Sequence, residues 1–277
     1  MPEPVPGLAD LDDHAFARAL AVEAGDLLVA LRSELEAAGA GSAELKAEGD
    51  RRSHELLMAR LAEGRPHDAI LSEEGTGGAE GSGREGTGRL GAARIWIIDP
   101  LDGTREYSEP PRTDWAVHVA LVEGGVPVAG AVALPAQGKV LSSDPAEPLP
   151  PTPPARPRVI VSRSRPPAVA EHLAEALGGD LVPMGSAGAK AAAVVLGLAD
   201  VYPHSGGQYE WDSCAPVAVA VPAGLVATRL DGSPLIYNNA DPYLPDLLVC
   251  HPALVEQVRA VLDPYLAAQE PASPADT

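Results

Sequence analysis

The run RIWIIDPLDGT, Arg94 to Thr104, sets the architecture and locates the chemistry. Ile95, Trp96, Ile97 and Ile98 are uninterruptedly apolar, which predicts a buried strand. Pro100 ends it abruptly, and Gly103 permits a tight turn with close backbone approach. In open α/β folds ligands gather beyond the carboxyl ends of strands, so Asp99 and Asp102 stand where a site belongs. Two carboxylates around a proline-fixed turn can converge on one hard cation. A helix starting at Gly103 would aim free N–H groups at an anion. A capped turn is the other reading of the same residues, because Asp, Pro and Gly are ordinary turn formers.

Outward from this run, strand and helix patterns alternate. Upstream, His14 to Ala37 reads as a helix with Phe16, Leu20, Leu27, Leu31 and Leu35 near one face. Asp50 is the expected N-cap of a second helix running through Ala62. Ala69 to Leu71 is a short strand followed by Ser72, Glu73 and Glu74, and the Gly-rich stretch Gly75 to Gly91 reads as a mobile loop. Downstream, alternation from Trp115 to Leu121 predicts a strand, turned at Gly124-Gly125 into a partner over Val126 to Leu134. Pro145 to Pro157 is the clearest linker. Beyond it, elements are expected at Val159–Ser162, Ala168–Leu177, Ala187–Leu198, Asp212–Ala223, Leu247–His251 and Pro252–Ala268. The expected organisation is therefore α/β, with an N-terminal half over 1–150, a C-terminal half over 151–268 and a disordered tail over 269–277.

The chain has 277 residues, and 20 Lys plus Arg against 39 Asp plus Glu leave a net charge of −19. That balance argues against a nucleic-acid polymer or a membrane surface as partner, although a bound divalent cation can invert the sign locally for a small anion. Hydrophobic residues make up 45% and aromatic ones only 4%, so the core must be built from Ala, Val and Leu. Cys214 and Cys250 offer neither CxxC zinc spacing nor a disulfide framework, and read as buried thiols in a reducing compartment. No basic-then-apolar leader and no apolar run of about 20 residues are present, so a cytoplasmic protein is expected.

Spacing excludes two look-alikes of the central run. The DxDGT motif of phosphoaspartate phosphatases has one residue fewer, and Asp99, Asp102 and Gly103 miss the alternate-ligand register of an EF-hand. Two further acidic elements frame it. Glu73-Glu74 by themselves would be a solvated strand edge, and Asp212 after Trp211 an ordinary helix N-cap. In this order, Glu73-Glu74, DPLDGT (Asp99 to Thr104), GSAGAK (Gly185 to Lys190) and WDSCAPVAVAVPAG (Trp211 to Gly224) resemble the inositol monophosphatase-like family of metal-dependent phosphatases. The resemblance runs from about Phe16 to His251. LSEE, DWAVHVAL, QYEWDSCAP, RLDGSPLIYN and DPYLPDLLVC are most similar to its CysQ-type branch, the 3′-phosphoadenosine 5′-phosphate phosphatases of high-GC bacteria.

The resemblance implies a layered α-β-α-β-α sandwich with the site between the two halves. It implies Mg²⁺-dependent hydrolysis of the 3′-phosphate of 3′-phosphoadenosine 5′-phosphate, with the sulfated nucleotide as a further substrate and Li⁺ as an inhibitor. Carried over by position, it makes Glu73, Asp99, the Leu101 carbonyl, Asp102 and Asp212 the Mg²⁺ ligands. Thr104 would orient the attacking water and Asp50 would bond to Thr104, although Ala47 stands where the family often has Thr. Gly103, Thr104, Gly185, Ser186 and Lys190 fall on the substrate side, while His204 replaces an Arg that some nucleotidases carry. Lys190 is one of three lysines and sits near a predicted helix start, where a cation opposes the dipole. A contact to an anionic group of the substrate accounts for it, and a snorkelling surface lysine is the alternative. His54, His118 and His251 show no partner pattern and are expected to be structural or exposed. Four carboxylates and a carbonyl are hard oxygen ligands suited to Mg²⁺, and phosphomonoester hydrolysis needs charge neutralisation and positioning more than covalent chemistry. Inositol monophosphatase or fructose-1,6-bisphosphatase activity would use the same site, and a non-catalytic nucleotide or metal sensor is the rival from another class. The expected partner is a small phosphorylated molecule, and the family pattern is compatible with a homodimer.

Overall fold

The computed structural model describes residues 7–75 and 87–269. Helices α1 (Asp13–Ala37) and α2 (Ser42–Gly64) precede a five-stranded sheet. Its strands are β1 (Ala69–Ser72), β2 (Arg94–Asp102), β3 (Ala116–Glu123), β4 (Val126–Leu134) and β5 (Lys139–Ser142), adjacent in that order, with the single-turn helix α3 (Thr104–Tyr107) after β2. β1 and β2 run parallel and the other neighbours antiparallel. The second sheet is built from β6 (Arg158–Ser162), β7 (Asp180–Met184), β8 (Val201–Tyr209), β9 (Val226–Thr228) and β10 (Tyr243–Cys250), in the order β7-β6-β8-β10-β9. Between these strands lie α4 (Ala168–Ala176), α5 (Ala187–Val195) and α6 (Glu210–Ala220), and α7 (Val255–Ala267) closes the fold.

Side-chain packing stacks these parts into five layers. Phe16, Leu20 and Leu28 of α1 and Leu57 and Leu61 of α2 cover one face of the first sheet at Trp96, Ile98, Val117 and Val119. Its opposite face, with Ile95, Ile97, Ala116 and Ala120, meets α5 and α6, which also pack on Ile160, Tyr202, Leu247 and Val249 of the second sheet. Val169 and Leu173 of α4 and Val258 and Leu262 of α7 cover the outer face at Val201, Leu248 and Cys250. The order is α-β-α-β-α, as the resemblance implies. Every residue of α5, AGAKAAAVV, is buried, and its small side chains let two sheets approach one helix layer. That central layer is why the core manages with so few aromatic rings.

Several local expectations need correction. Asp50 is not an N-cap: α2 begins at Ser42 behind Gly41, and Asp50 lies within it. The good helix formers of Ala43 to Glu48 carry the helix back past that point. β5, β7, β8 and β9 are additional to the predicted strands. β8 escapes pattern reading because Pro203, Gly206 and Gly207 interrupt it, and its pairing with β10 slips near Leu244. Most of the Gly75–Gly91 loop lies outside the described residues, but Thr87–Gly91 forms a 3-10 turn. There the buried Arg89 donates to Asn238 Oδ1 at 2.6 Å and to the Asn239 carbonyl at 2.8 Å. The predicted tail lies outside the described residues after Gln269.

Candidate active site

In a regular strand, residues three apart face opposite sides of the sheet. Here Asp99 pairs with His118 and Asp102 with Ala116, so three steps along β2 match two along β3. The extra residue is a bulge at Pro100-Leu101, and it brings both carboxylates to one side. Asp212 joins them from the first turn of α6, where the Tyr209 N–H donates to its Oδ2 at 2.7 Å. One oxygen from each of Asp99, Asp102 and Asp212 lies within 4.8 Å of the others. Glu73, just beyond the end of β1, reaches the same group through a hydrogen bond with Asp99. The parallel pairing of β1 and β2 explains this, since it places both carboxyl ends at one edge.

The four acidic groups differ in their electrostatics. Burial, then the surrounding carboxylates, raises Asp99 well above its usual range. Burial and like charges push Glu73 and Asp212 up to about 7. Burial acts upward on Asp102 as well, but the charge and hydrogen bond of His118 and the bond from Ser186 outweigh it and hold it at about 2. The His118 ring lies with Nδ1 2.9 Å from the Trp211 carbonyl and Nε2 3.2 Å from Asp102 Oδ2. A carbonyl only accepts, so Nδ1 carries a proton, and a carboxylate opposite Nε2 favours a second one. Asp102 Oδ2 also accepts from Ser186 Oγ and the Gly188 N–H, both at 2.5 Å, and Oδ1 accepts from the Ala187 N–H at 3.1 Å. A buried set of carboxylates repelling one another is the donor chemistry of a hard divalent cation, so these residues fit a metal.

Thr104 stands beside this cluster. Its Oγ1 is 3.1 Å from the Leu101 carbonyl and 3.2 Å from Asp50 Oδ1, the pair expected from sequence. Burial, with the charge of Glu74, pushes Asp50 up to about 7. The turn is held by Ser53 Oγ donating to the Pro100 carbonyl at 2.6 Å and the Leu101 N–H donating to Asp99 Oδ1 at 3.0 Å. Gly103 has φ 82°, and a Cβ there would sit 2.8 Å from Ser186 Cβ, so only glycine lets the two segments meet.

On the opposite wall, Ser186 adopts φ 37°, a left-handed conformation uncommon for serine. Its Oγ accepts from the Ala189 N–H at 2.9 Å while donating to Asp102, so it caps α5 and anchors the carboxylate together. Gly185 donates its N–H to Asp114 Oδ2 at 2.7 Å. Lys190 is buried, which excludes a snorkelling surface lysine. Its Nζ donates to the carbonyls of Gly185 and Ser186 at 3.0 and 2.6 Å and lies over the Tyr202 ring. A cavity of about 380 Å³ opens beside this loop, with Arg105, Arg163, Arg165, Gly185, Ser186 and Lys190 in its wall. His204 faces the Gly206 carbonyl at 2.8 Å, and burial depresses it to about 4.

Two residues that hold the walls of the site were not visible as such in the sequence. His118, expected to be structural or exposed, is fully buried against Asp102, a partner that no sequence pattern announced. The signal was the hairpin register, which sets it opposite Asp99. Asp114 holds the Gly185 loop from a distance of 71 residues along the chain, a contact with no local signature. His54 and His251 are structural: His54 bonds Ser72 Oγ at 3.1 Å, and His251 accepts from the Ala253 N–H.

Residues 12–263 match the sequence pattern of the inositol monophosphatase family. The chain belongs to that family. It is 46% identical over 272 residues to the 3′-phosphoadenosine 5′-phosphate phosphatase of Mycobacterium leprae, covering 91% of this chain and 96% of the relative. It is 47% identical over 236 residues to the Mycobacterium tuberculosis protein of the same name, covering 82% and 85% of the two chains. Among solved structures, inositol monophosphatase II from Staphylococcus aureus superposes with a TM-score of 0.73 at 21% identity, over 92% of this chain and 97% of that one. The fold shared with that family member is therefore the five-layer sandwich described above. No described helix of this inositol monophosphatase-family chain is long and apolar enough to cross a membrane.

Proposed function

We propose that this chain hydrolyses the 3′-phosphate of 3′-phosphoadenosine 5′-phosphate, giving AMP and phosphate, with Mg²⁺ as the cation. The observation that carries this reading is the near-half identity, along nearly the whole chain, with the mycobacterial protein of that name. The carboxylate cluster supports the chemistry. Glu73, Asp99, the Leu101 carbonyl, Asp102 and Asp212 would hold Mg²⁺. When bound, such an ion neutralises phosphoryl charge and makes water a better nucleophile near neutral pH.

The chain's own groups do the positioning. Thr104 Oγ1, donating to Asp50 Oδ1, keeps its lone pairs for the proton of an incoming water and so aims that water at phosphorus. Asp50, whose carboxyl is raised by burial and by the charge of Glu74, can take the proton relayed through Thr104. The N–H groups of Gly103 and Thr104, at the start of α3, are available to phosphoryl oxygens. Gly185 and Ser186 form the facing wall, and Lys190 holds that wall through its two carbonyl contacts. The sulfated nucleotide presents the same 3′-phosphate and is a second substrate in this reading. Two free, buried cysteines, Cys214 and Cys250, support a reducing, cytoplasmic setting.

Phosphate release from 3′-phosphoadenosine 5′-phosphate, inositol 1-phosphate and fructose 1,6-bisphosphate, measured side by side in Mg²⁺, tests the substrate. The nucleotide should give the highest kcat/KM. Faster turnover of the inositol or sugar phosphate would refute the assignment.

A further inference from the structure

Away from the carboxylate site, one buried cation is left short of partners. Arg32, on α1, is only 8% exposed, and its Nη1 donates to the Arg112 carbonyl at 2.8 Å. Its Nε and Nη2 are buried and have no hydrogen-bond partner among the described residues. The same holds for Nε1 of the fully buried Trp115, whose ring centre lies 5.9 Å from the guanidinium carbon. Unpaired buried donors are rare, because a group that gives up its water needs a partner in exchange. Nε and Nη2 form one edge of the guanidinium, the edge that takes both oxygens of a carboxylate side-on. Glu36, one helical turn further, brings Oε1 to 3.3 Å from Nε, yet makes no hydrogen bond there and stays 43% exposed.

Arg32, Glu36 and Trp115 stand in the wall of a cavity of about 330 Å³ between α1 and the segment joining α3 to β3. That volume is at the small end of the range for small-molecule sites. Arg32 and Glu36 are its only charged lining residues, and Val29, Pro110, Pro111 and Ala136 supply apolar surface. The Ser33 hydroxyl, also in the wall, is turned back to the Val29 carbonyl at 3.0 Å. A simple anion entering here meets Glu36, and a simple cation meets Arg32. A zwitterion with an apolar body satisfies both. We propose that this cavity binds a free α-amino acid with an apolar side chain. Its carboxylate takes the Nε–Nη2 edge of Arg32. The exposed Glu36 swings off that edge to meet the ammonium group, and the side chain rests on Val29, Pro110 and Pro111.

Isothermal titration of the whole chain with L-valine, L-leucine and L-methionine tests the site without recourse to activity. At least one of them should bind with a Kd below about 1 mM. The des-amino acid and the decarboxylated amine made from the tightest binder should each bind about tenfold more weakly, having lost one charged contact. Glu36→Gln, at an exposed position, should weaken the amino acid about tenfold and leave its des-amino analogue unaffected. Arg32→Lys keeps the charge but loses the two-donor edge, and should weaken the amino acid by a similar factor. Glu36→Gln carries the comparison by itself if Arg32→Lys does not fold. Absence of saturable binding by all three amino acids, equal binding of the amino acid and its analogues, or undiminished binding in Glu36→Gln would overturn the assignment.

Discussion

Asp102 and Asp99 are three residues apart, yet they are supported in opposite ways. Asp102 accepts from Ser186, Ala187 and Gly188 and lies 3.2 Å from His118 Nε2, and so stays ionised although buried. Asp99 has the Leu101 N–H and a carboxyl partner in Glu73, and its ionised form is left short of positive charge. A cation would correct that imbalance, which makes Asp99 and Glu73 the side of the cluster most dependent on metal. Thr104 is a different case, since its hydroxyl contacts a carboxylate and a carbonyl that are in place without it. Thr104→Ala should therefore keep its Mg²⁺ affinity while kcat falls by roughly 10²-fold and KM changes little, as expected for a group that acts through the transition state. Titration of Mg²⁺ alongside turnover decides it. A loss of metal affinity matching the loss of turnover would make Thr104 a structural residue.

At the level of elements, the site is made by a strand bulge and two helix starts. The bulge in β2 turns Asp99 and Asp102 together, α6 delivers Asp212, and the first turn of α5 wraps Asp102 with backbone N–H groups. That wrapping requires Gly188, because a Cβ there would lie 2.0 Å from His118 Nε2 and 3.0 Å from Asp102 Oδ2. Gly188→Ala should push α5 off the carboxylate, costing about 1–3 kcal/mol of stability and most of the activity. Denaturant midpoints and phosphate release report both, and an unchanged variant would show that α5 is not held to Asp102 in this way. Much of this level was legible in advance. The apolar run before Asp99, the β3–β4 hairpin with its Gly-Gly turn, and α4, α5 and α6 follow from periodicity and turn chemistry. β8 was not, because its Pro and Gly residues read as a loop and only pairing with β10 makes it a strand. The role of His118 was not legible either, since a histidine among apolar neighbours acquires a partner only when the sheet and α6 are assembled.

For the whole molecule, the five layers explain how an acidic chain can present a site for an anionic substrate. Both sheets and the buried α5–α6 layer bring Asp99, Asp102 and Asp212 together from positions up to 113 residues apart. The negative charge is thereby concentrated where a divalent cation would reverse its sign, and the arginine-lined cavity lies directly alongside. The motifs in the sequence were sufficient to name the carboxylates. The convergence of Arg105, Arg163 and Arg165 on one cavity depends on α3 and the β6–α4 loop meeting in space, and no spacing along the chain foretells it. The most direct test of the account is phosphate release from 3′-phosphoadenosine 5′-phosphate by one preparation, before chelation, in excess chelator and after Mg²⁺ is restored. The account predicts turnover that collapses in chelator and returns with Mg²⁺, whereas full turnover in excess chelator would contradict it.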